Sequence, residues 1–391
     1  MVAPAPSFRR GARPWQVALL VTGLALAWQT LVVYGYFHGH WSALFLASDR
    51  FVQTQPVRAE STYVLRESGG YDGQFYHAIA HDPLDLHGTD RVLDFPPTRY
   101  TRILVPALSY LVGGGRLFWV DRAYRAIELA FLFLGVLCAC IWAESRRRSA
   151  WLGVLFMFIP GVFISLERQL VDLPLCAFVA AAIVTHDRRR NTLCWASLAC
   201  AGLVREMGFI AIAGFVWSEA KERRYKEAGQ WALAAVPGAV WNAYMLLSLP
   251  KTPDMQPLVP VIAIFSAAGR LQKYPFGANL SFILHGLDAL AIAGGLLTLI
   301  LGVLGGFRKK AALASVGLAM ACFGIAVSGY ADYTEVYSFG RADSPLLMVQ
   351  LFQAMESGST ILLWPLALML PRSILINASM TIRSVLHFLI R

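Results

Sequence analysis

The feature that most constrains this chain is the repetition of long apolar stretches that end in short clusters of basic residues. Stretches of about 20 apolar residues are long enough to cross a bilayer, and cytoplasmic loops of membrane proteins carry an excess of Lys and Arg. The clusters here are Arg9/Arg10/Arg13, Arg146 to Arg148, Arg188 to Arg190, Lys221/Arg223/Arg224/Lys226 and Arg308/Lys309/Lys310. The pattern predicts an all-α, polytopic transmembrane helical bundle with a cytoplasmic N-terminus.

Composition excludes several other classes. With 57% hydrophobic and 15% charged residues, the 391-residue chain is too apolar for a soluble protein. The net charge of +10 does not indicate a nucleic-acid partner, because the basic residues are concentrated at the ends of apolar stretches. The six cysteines lie within apolar segments, so we expect them to pack as small apolar residues.

Parity then fixes how the chain is divided, because an even number of crossings must separate two cytoplasmic clusters. We predict one membrane domain over 1–391, with about ten membrane segments. Its parts are a first helix at 15–37, an external loop with juxtamembrane helices at 38–117, the remaining bundle at 118–370 and a cytoplasmic amphipathic tail at 371–391. The bundle is expected to hold spans at 118–143, 149–166, 171–186, 229–248, 285–306, 311–329 and 346–370, external connections at 249–284 and before 346, and a pair of short helices that meet at Arg205–Glu206.

A dense polar stretch, ESGGYDGQFYHAIAHDP at 67–83, lies just after the first crossing. Asp72 precedes a helical pattern there, so its side chain could cap the helix, serve as a general base, or do both. His77 and His81 are spaced i, i+4, which would suit a metal. Because no acidic third ligand is evident, we interpret them as surface histidines and assign no metal ligand.

Four arginines are candidates for binding an anion. Arg99 and Arg102 are one helical turn apart, so they could converge on one anion or extend to lipid headgroups. Arg205, with Glu206, interrupts an apolar region, which favours either a phosphate site or a buried ion pair at a helix break. Arg341, near Tyr337 and Asp343, is a candidate phosphate or sugar contact.

Other charged residues have simpler interpretations. Glu167, Arg168 and Asp172 could be solvated charges at an outer turn, with Asp172 alternatively capping the next helix. We expect Arg125 and Glu128 to neutralise each other, and His285 and Asp288 to lie at the outer interface. The chain lacks the GxxxxGK[ST] pattern of nucleotide-binding P-loops and the GxSxG pattern of serine hydrolases, so neither function has support.

Taken in order, several short motifs resemble a known family. They are YDGQFYHAIA, RYTRILVP, GVFISLERQLVDLP, LACAGLVREMGF and FGRADSPLL, spread between about residue 15 and residue 370. This order and spacing resembles bacterial membrane glycosyltransferases of the GT-C superfamily, which use polyprenyl-phosphate sugars, and is most similar to the cell-surface glycopolymer and mannosyltransferase-like branch.

The resemblance implies a GT-C bundle in the bacterial cytoplasmic membrane, with its active site on the extracytoplasmic face. In that superfamily an acid in the first external loop activates the acceptor, and the matching position is Asp72. Many members carry two adjacent acids, whereas Gly73 follows here, which leaves a divalent metal cofactor as an open alternative. By the same resemblance, Arg205 and Arg341 are implied contacts of the donor phosphate. The full substrate-binding set that we predict, for a polyprenyl-phosphate sugar donor and a lipid or glycan acceptor, comprises Gln74, Tyr76, Arg99, Arg102, Asp172, Arg205, Glu206 and Arg341.

The expected activity is therefore transfer of a sugar to an acceptor hydroxyl, with inversion, in cell-surface polysaccharide or glycolipid synthesis. Two alternatives remain. One is a flippase or transporter of lipid-linked sugars, which would also need arginines within the bundle. The other is a non-catalytic scaffold of a polysaccharide assembly complex.

Overall fold

The computed structural model describes residues 12–250, 274, 277–308, 312–327 and 340–390. Most of the predicted external connection at 249–284, Tyr337 in the second external loop, and Arg9, Arg10, Lys309 and Lys310 of the basic clusters lie outside these residues. Within them the chain is almost wholly helical, as the sequence predicts.

Sixteen α-helices and one minimal sheet are described. The helices are α1 (Pro14–Gly35), α2 (Gln55–Ala59), α3 (Gly73–His81), α4 (Pro96–Tyr100), α5 (Leu104–Val112), α6 (Leu117–Ser145), α7 (Pro160–Arg168), α8 (Asp172–Asp187), α9 (Asn191–Val204), α10 (Met207–Lys221), α11 (Tyr225–Ala232), α12 (Val236–Ser248), α13 (Ala278–Arg308), α14 (Ala312–Val327), α15 (Ser344–Ser357) and α16 (Trp364–Ile390). Strands β1 (Ala47–Ser48) and β2 (Val64–Leu65) pair in parallel. Short 3₁₀ helices occupy Trp41–Phe45, Thr89–Val92, Ala150–Phe158, Leu233–Ala235 and Thr360–Leu363.

Three of the described helices are long and apolar enough to cross a membrane: α1, α6 and Ala278–Gly306 within α13. Two bent helix pairs raise the number to five if each is one span. The apolar helices therefore support a membrane protein, with three to five candidate spans where the sequence predicts about ten segments.

Several predicted helices are interrupted. The one expected at 149–166 consists of the 3₁₀ helix Ala150–Phe158 and α7, which meet at a bend of 63°. Pro160 starts α7 because its missing N–H costs nothing in the first turn of a helix. Likewise, the helix expected at 346–370 is divided between α15, a 3₁₀ helix and the start of α16. The helix expected at 229–248 is divided between α11, a 3₁₀ turn and α12.

The pair of short helices predicted around Arg205–Glu206 is present as α9 and α10. Gly208 allows the two helices to meet closely, because an added Cβ there would lie 2.1 Å from the carbonyl oxygen of Ala201. Glycine is thus required at the point where the chain reverses.

The final segment, which the sequence predicts to be a cytoplasmic amphipathic tail at 371–391, is helical. It continues α16, which packs along α1: the indole of Trp28 donates to the hydroxyl of Thr381 at 3.0 Å. The guanidinium of Arg383 reaches the hydroxyl of Tyr36 at 3.4 Å, directly after α1 ends. These side-chain contacts hold the segment beside the start of the 38–117 loop.

The main helices run between two ends of the molecule. One end, the basic end, brings the last residues of α6, α8 and α15 together, with Arg146 bound to Asp187 at 2.7 Å and near Glu356 at 3.7 Å. The other end, the site end, holds Asp72, Asp172, Arg205 and Arg341, because α8 begins at Asp172 and α9 ends before Arg205.

Candidate functional site

The candidate site is built around Asp72, which directly precedes α3. Asp72 stands at the N-cap position, but its side chain makes no capping hydrogen bond. Instead, Nη2 of Arg99 donates to one carboxylate oxygen at 2.9 Å, and Nη1 of Arg341 donates to the other at 2.5 Å. The interpretation of this side chain as a helix cap is wrong, because both of its oxygens are held by arginines.

Arg341 joins Asp72 to a second acid. Its Nε donates to Asp172 at 2.5 Å, and Nη1 of Arg205 donates to the other oxygen of Asp172. The Asp172 side chain is completely buried. Asp172 is the first residue of α8 rather than its N-cap. Neither a solvated charge nor a helix cap describes Asp172: it is a buried anion between two arginines.

The contacts continue through the break between α9 and α10. Nε of Arg205 donates to Glu206 at 3.0 Å, and Nη2 of Arg102 donates to the same carboxylate at 3.1 Å. Nη1 of Arg102 also donates to the buried hydroxyl of Tyr76 at 2.9 Å. The Glu206 side chain is 43% exposed, so this part of the site is open at the protein surface.

Charge within the site is balanced. Arg99 also donates to both oxygens of Asp94, at 2.8 and 2.7 Å. Four guanidinium groups therefore face four carboxylates, and we call this set the arginine–carboxylate network: Asp72, Asp94, Asp172, Glu206, Arg99, Arg102, Arg205 and Arg341. Buried charges are stable only when they are paired in this way.

Burial and the neighbouring arginines shift the pKa of the Asp72 carboxyl in opposite directions. Burial alone would raise the pKa of its carboxyl, but the charges and hydrogen bonds of Arg341 and Arg99 outweigh burial and hold the pKa well below its usual range. In this arrangement Asp72 is ionised at neutral pH and is a weak base.

Arg99 and Arg102 do not converge on one anion. Arg99 binds Asp72 and Asp94, whereas Arg102 binds Glu206, because the chain leaves α4 between them and enters α5 at Leu104. Headgroup contact is also wrong for both, since their side chains are 10% exposed and paired to acids.

Gly73 explains why a single acid stands at this position. A Cβ at residue 73 would lie 2.2 Å from the carbonyl oxygen of Arg168 and 2.9 Å from that of Phe45. A second acid next to Asp72 would therefore clash with the backbone at the end of α7.

Gln74 supports the loop. Its Oε1 accepts from the backbone N–H of Ser48 at 3.1 Å, and its Nε2 donates to the carbonyl of Gly69 at 3.4 Å. These contacts attach α3 to β1, so the amide is engaged by the protein itself.

Glu167 and Arg168 are not solvated charges, because their side chains are only 1% and 8% exposed. Nε of Arg168 binds Glu167 at 3.3 Å, and its guanidinium lies 4.5 Å from the centre of the Tyr71 ring. Tyr71, the residue before Asp72, thus contacts the end of α7.

His77 and His81 are buried, so their interpretation as surface histidines is wrong. Nε2 of each lies near Oδ1 of Asp121, at 2.7 and 3.2 Å, and near Oε2 of Glu60, at 3.7 and 3.4 Å. Burial alone would lower the pKa of His77, but Asp121 and Glu60 raise it to about 9. Acidic partners are therefore present where the sequence indicated none.

One expected ion pair and one expected interfacial position are also wrong. Among the described residues, Arg125 forms no ion pair with Glu128: its guanidinium lies 4.6 Å from the centre of the Trp41 ring. Asp288 is buried and binds Arg372 of α16 at 2.6 Å, so it joins two helices rather than facing the interface.

Sequence reasoning did not single out Asp94, Asp121 or Glu60. Asp121 had a detectable signal, since a carboxylate near the start of an apolar helix is costly without a partner. Asp94 lies five residues before Arg99, and Pro96–Pro97 turn the chain between them. Glu60 carried no local signal, because only the tertiary fold brings α2 to α3.

No family model, curated protein or solved structure matches this chain.

Proposed function

We propose that this protein is a membrane glycosyltransferase of GT-C type, which moves a sugar from a polyprenyl phosphate to an acceptor hydroxyl on the extracytoplasmic face of a bacterial cytoplasmic membrane. The observation that carries the proposal is the placement of Asp72 between Arg99 and Arg341 at one end of a bundle of apolar helices. A carboxylate and several arginines meet there, as transfer from a lipid phosphate requires.

The chemistry needs one base and a site for the departing phosphate. The acceptor oxygen attacks the anomeric carbon, Asp72 takes the hydroxyl proton, and the bond from carbon to phosphate oxygen breaks with its electron pair on the phosphate. A phosphate leaves as a stable anion, so it needs arginines rather than a second, protonating carboxyl. The apolar bundle would accommodate the prenyl chain.

The ion pairs in the structure suggest how the base is activated. Asp72 is a weak base while Arg99 and Arg341 hold it, whereas an efficient general base has a pKa closer to the working pH. A donor phosphate that takes over Arg341 would free one oxygen of Asp72 and raise its pKa. The base would then form only when the donor is bound.

Arg205 would bind the donor phosphate together with Arg341. Arg205 and Arg341 share Asp172, so a phosphate bound by both would compete with this buried carboxylate. Glu206 is the most exposed acid of the network, which supports entry of the donor headgroup near Arg102 and Arg205.

The test is sugar transfer by purified protein in lipid nanodiscs, supplied with a panel of radiolabelled polyprenyl-phosphate sugars and membrane-extract acceptors. Asp72→Asn should lower turnover by about 10²–10⁴-fold, the usual contribution of a general base, while donor binding persists. Glu67→Gln changes an exposed acid of the same loop and should keep wild-type turnover.

Equal turnover in Asp72→Asn and wild type would remove Asp72 as the base. Movement of the labelled lipid across a vesicle membrane without any transfer would instead support a flippase. A wild-type protein that neither transfers nor moves the lipid would support a scaffold.

A further inference from the structure

A second cluster of charged side chains lies on the other face of α3. Glu60 at the end of α2, His77 and His81 on α3, and Asp121 in the first turns of α6 each present one ligand atom, and the four atoms lie within 4.8 Å of one another. We propose that this cluster is a binding site for a divalent transition metal, with zinc the best fit, which fastens α2 and α3 to α6.

The distances suit a tetrahedral ion. Zinc bonds to nitrogen and oxygen of about 2.1 Å place neighbouring ligand atoms about 3.4 Å apart. The four contacts between the imidazole nitrogens and the carboxylate oxygens are 2.7, 3.2, 3.4 and 3.7 Å. The other two separations, between the two imidazoles and between the two carboxylates, are no longer than 4.8 Å, so the four side chains would close around an ion at their centre.

Within the cluster, Asp121 is hydrogen-bonded to both histidines, but Glu60 is not. Glu60 has an 11% exposed side chain, yet neither of its carboxylate oxygens has a hydrogen-bond partner among the described residues. A buried carboxylate without such partners is costly, and a metal ion would relieve that cost. Neither nearby arginine of α6 forms a described ion pair with Asp121: Arg122 donates to the carbonyl of Phe118, and Arg125 lies over the Trp41 ring.

The donor set selects the metal. Two imidazoles and two carboxylates are intermediate ligands that suit zinc and similar ions, whereas magnesium and calcium prefer an all-oxygen shell. Two carboxylates and two neutral imidazoles also balance the charge of a divalent ion. The His77 ring is already held in place, since it stacks on Phe45 with ring centres 4.1 Å apart.

The position of the cluster gives the metal a role. α3 begins immediately after Asp72, and Tyr76, which binds Arg102, lies between Asp72 and His77. A metal that joins three elements here would fix α3 and so orient the arginine–carboxylate network. The metal would be structural and would take no part in sugar transfer.

The experiment measures metal rather than transfer, so its outcome is independent of the proposed function. Full-length protein, purified without a histidine tag, is stripped with a chelator and reloaded with Zn²⁺. We expect one zinc per chain by mass spectrometry of the metal, and a melting temperature that rises with zinc concentration. Glu60→Gln and Asp121→Asn should lower zinc affinity at least tenfold.

His87→Gln is the matched control, because this histidine belongs to the same loop and its side chain is 73% exposed. It should bind zinc as the wild type does. If the ligand variants do not fold, the visible spectrum of wild type loaded with Co²⁺ tests the site. Co²⁺ in a tetrahedral site with imidazole ligands absorbs intensely in the visible range. A wild type that binds neither ion, or ligand variants that keep full zinc affinity, would overturn the proposal.

Discussion

At the scale of single residues, the site depends on Gly73 as much as on Asp72. Residue 73 lies against the backbone carbonyls of Arg168 and Phe45, so α3 can approach α7 only if residue 73 has no side chain. This contact places Asp72 within reach of Arg341. The network therefore requires a glycine that contributes no functional group.

Gly73→Ala should destabilise the protein by about 1–3 kcal/mol, the usual cost of overpacking. Thermal unfolding in detergent measures the change. Gly69→Ala, in the same loop, is the control, because no atom lies within 4 Å of its added Cβ. A wild-type melting temperature for Gly73→Ala would contradict this packing.

The pH dependence of stability should report on Asp72. Because its folded pKa is depressed, its contribution is fully present above the unfolded pKa of about 3.9 and is lost as the pH falls through the folded value. Asp72→Asn removes this contribution at every pH, at a cost of about 3 kcal/mol at pH 7.

The difference in unfolding free energy between wild type and Asp72→Asn should thus be constant from pH 7 to about pH 4 and shrink in more acidic solution. Denaturant titrations at several pH values measure it. A difference that already declines between pH 7 and pH 5 would show that Asp72 is not held by the two arginines.

At the scale of elements, the sequence predicted what local patterns encode. Arg205–Glu206 interrupts an apolar region, and the structure has a helix break there; Asp72 precedes a helical pattern, and α3 begins after it. Pairings between distant segments could not be predicted. Arg99 and Arg102 share a helical spacing but separate because the chain bends between α4 and α5. The histidines of α3 are buried because α2, α6 and Phe45 pack against them.

The α9–α10 reversal gives a prediction of its own. Gly208→Ala should force the two helices apart and lower the melting temperature, because the new methyl group would overlap the carbonyl of Ala201. It should also reduce sugar transfer, since Arg205 and Glu206 lie at the same reversal. Gly202→Ala is the control, because its nearest neighbour lies 3.6 Å away. Equal stability of the two variants would contradict the close helix contact.

At the scale of the whole molecule, charge is divided between two ends. The arginine–carboxylate network lies at one end, and Arg146, Asp187 and Glu219 lie at the other. α16 returns to the site end, where the rings of His38 and His387 are 5.8 Å apart. The last residues of α16 should therefore face the same side of the membrane as the loop that holds Asp72.

Single cysteines test this arrangement with a membrane-impermeant maleimide on intact cells. We expect cysteines at Glu67 and Leu389, both exposed, to react from outside, and a cysteine at the exposed Glu222 to react only after lysis. Wild type gives the background from the native thiols. Reaction of Leu389→Cys only after lysis would contradict the return of α16.

The pairing of every arginine in the network also affects how fast a ligand can be captured. A polyprenyl phosphate would have to break internal ion pairs before its own oxygens are held, so association should be slower than diffusion and should show a large activation enthalpy. Inorganic phosphate has no prenyl tail whose burial could offset that exchange, so it should compete poorly. Selectivity for lipid-linked donors would then arise from the resting state of the protein.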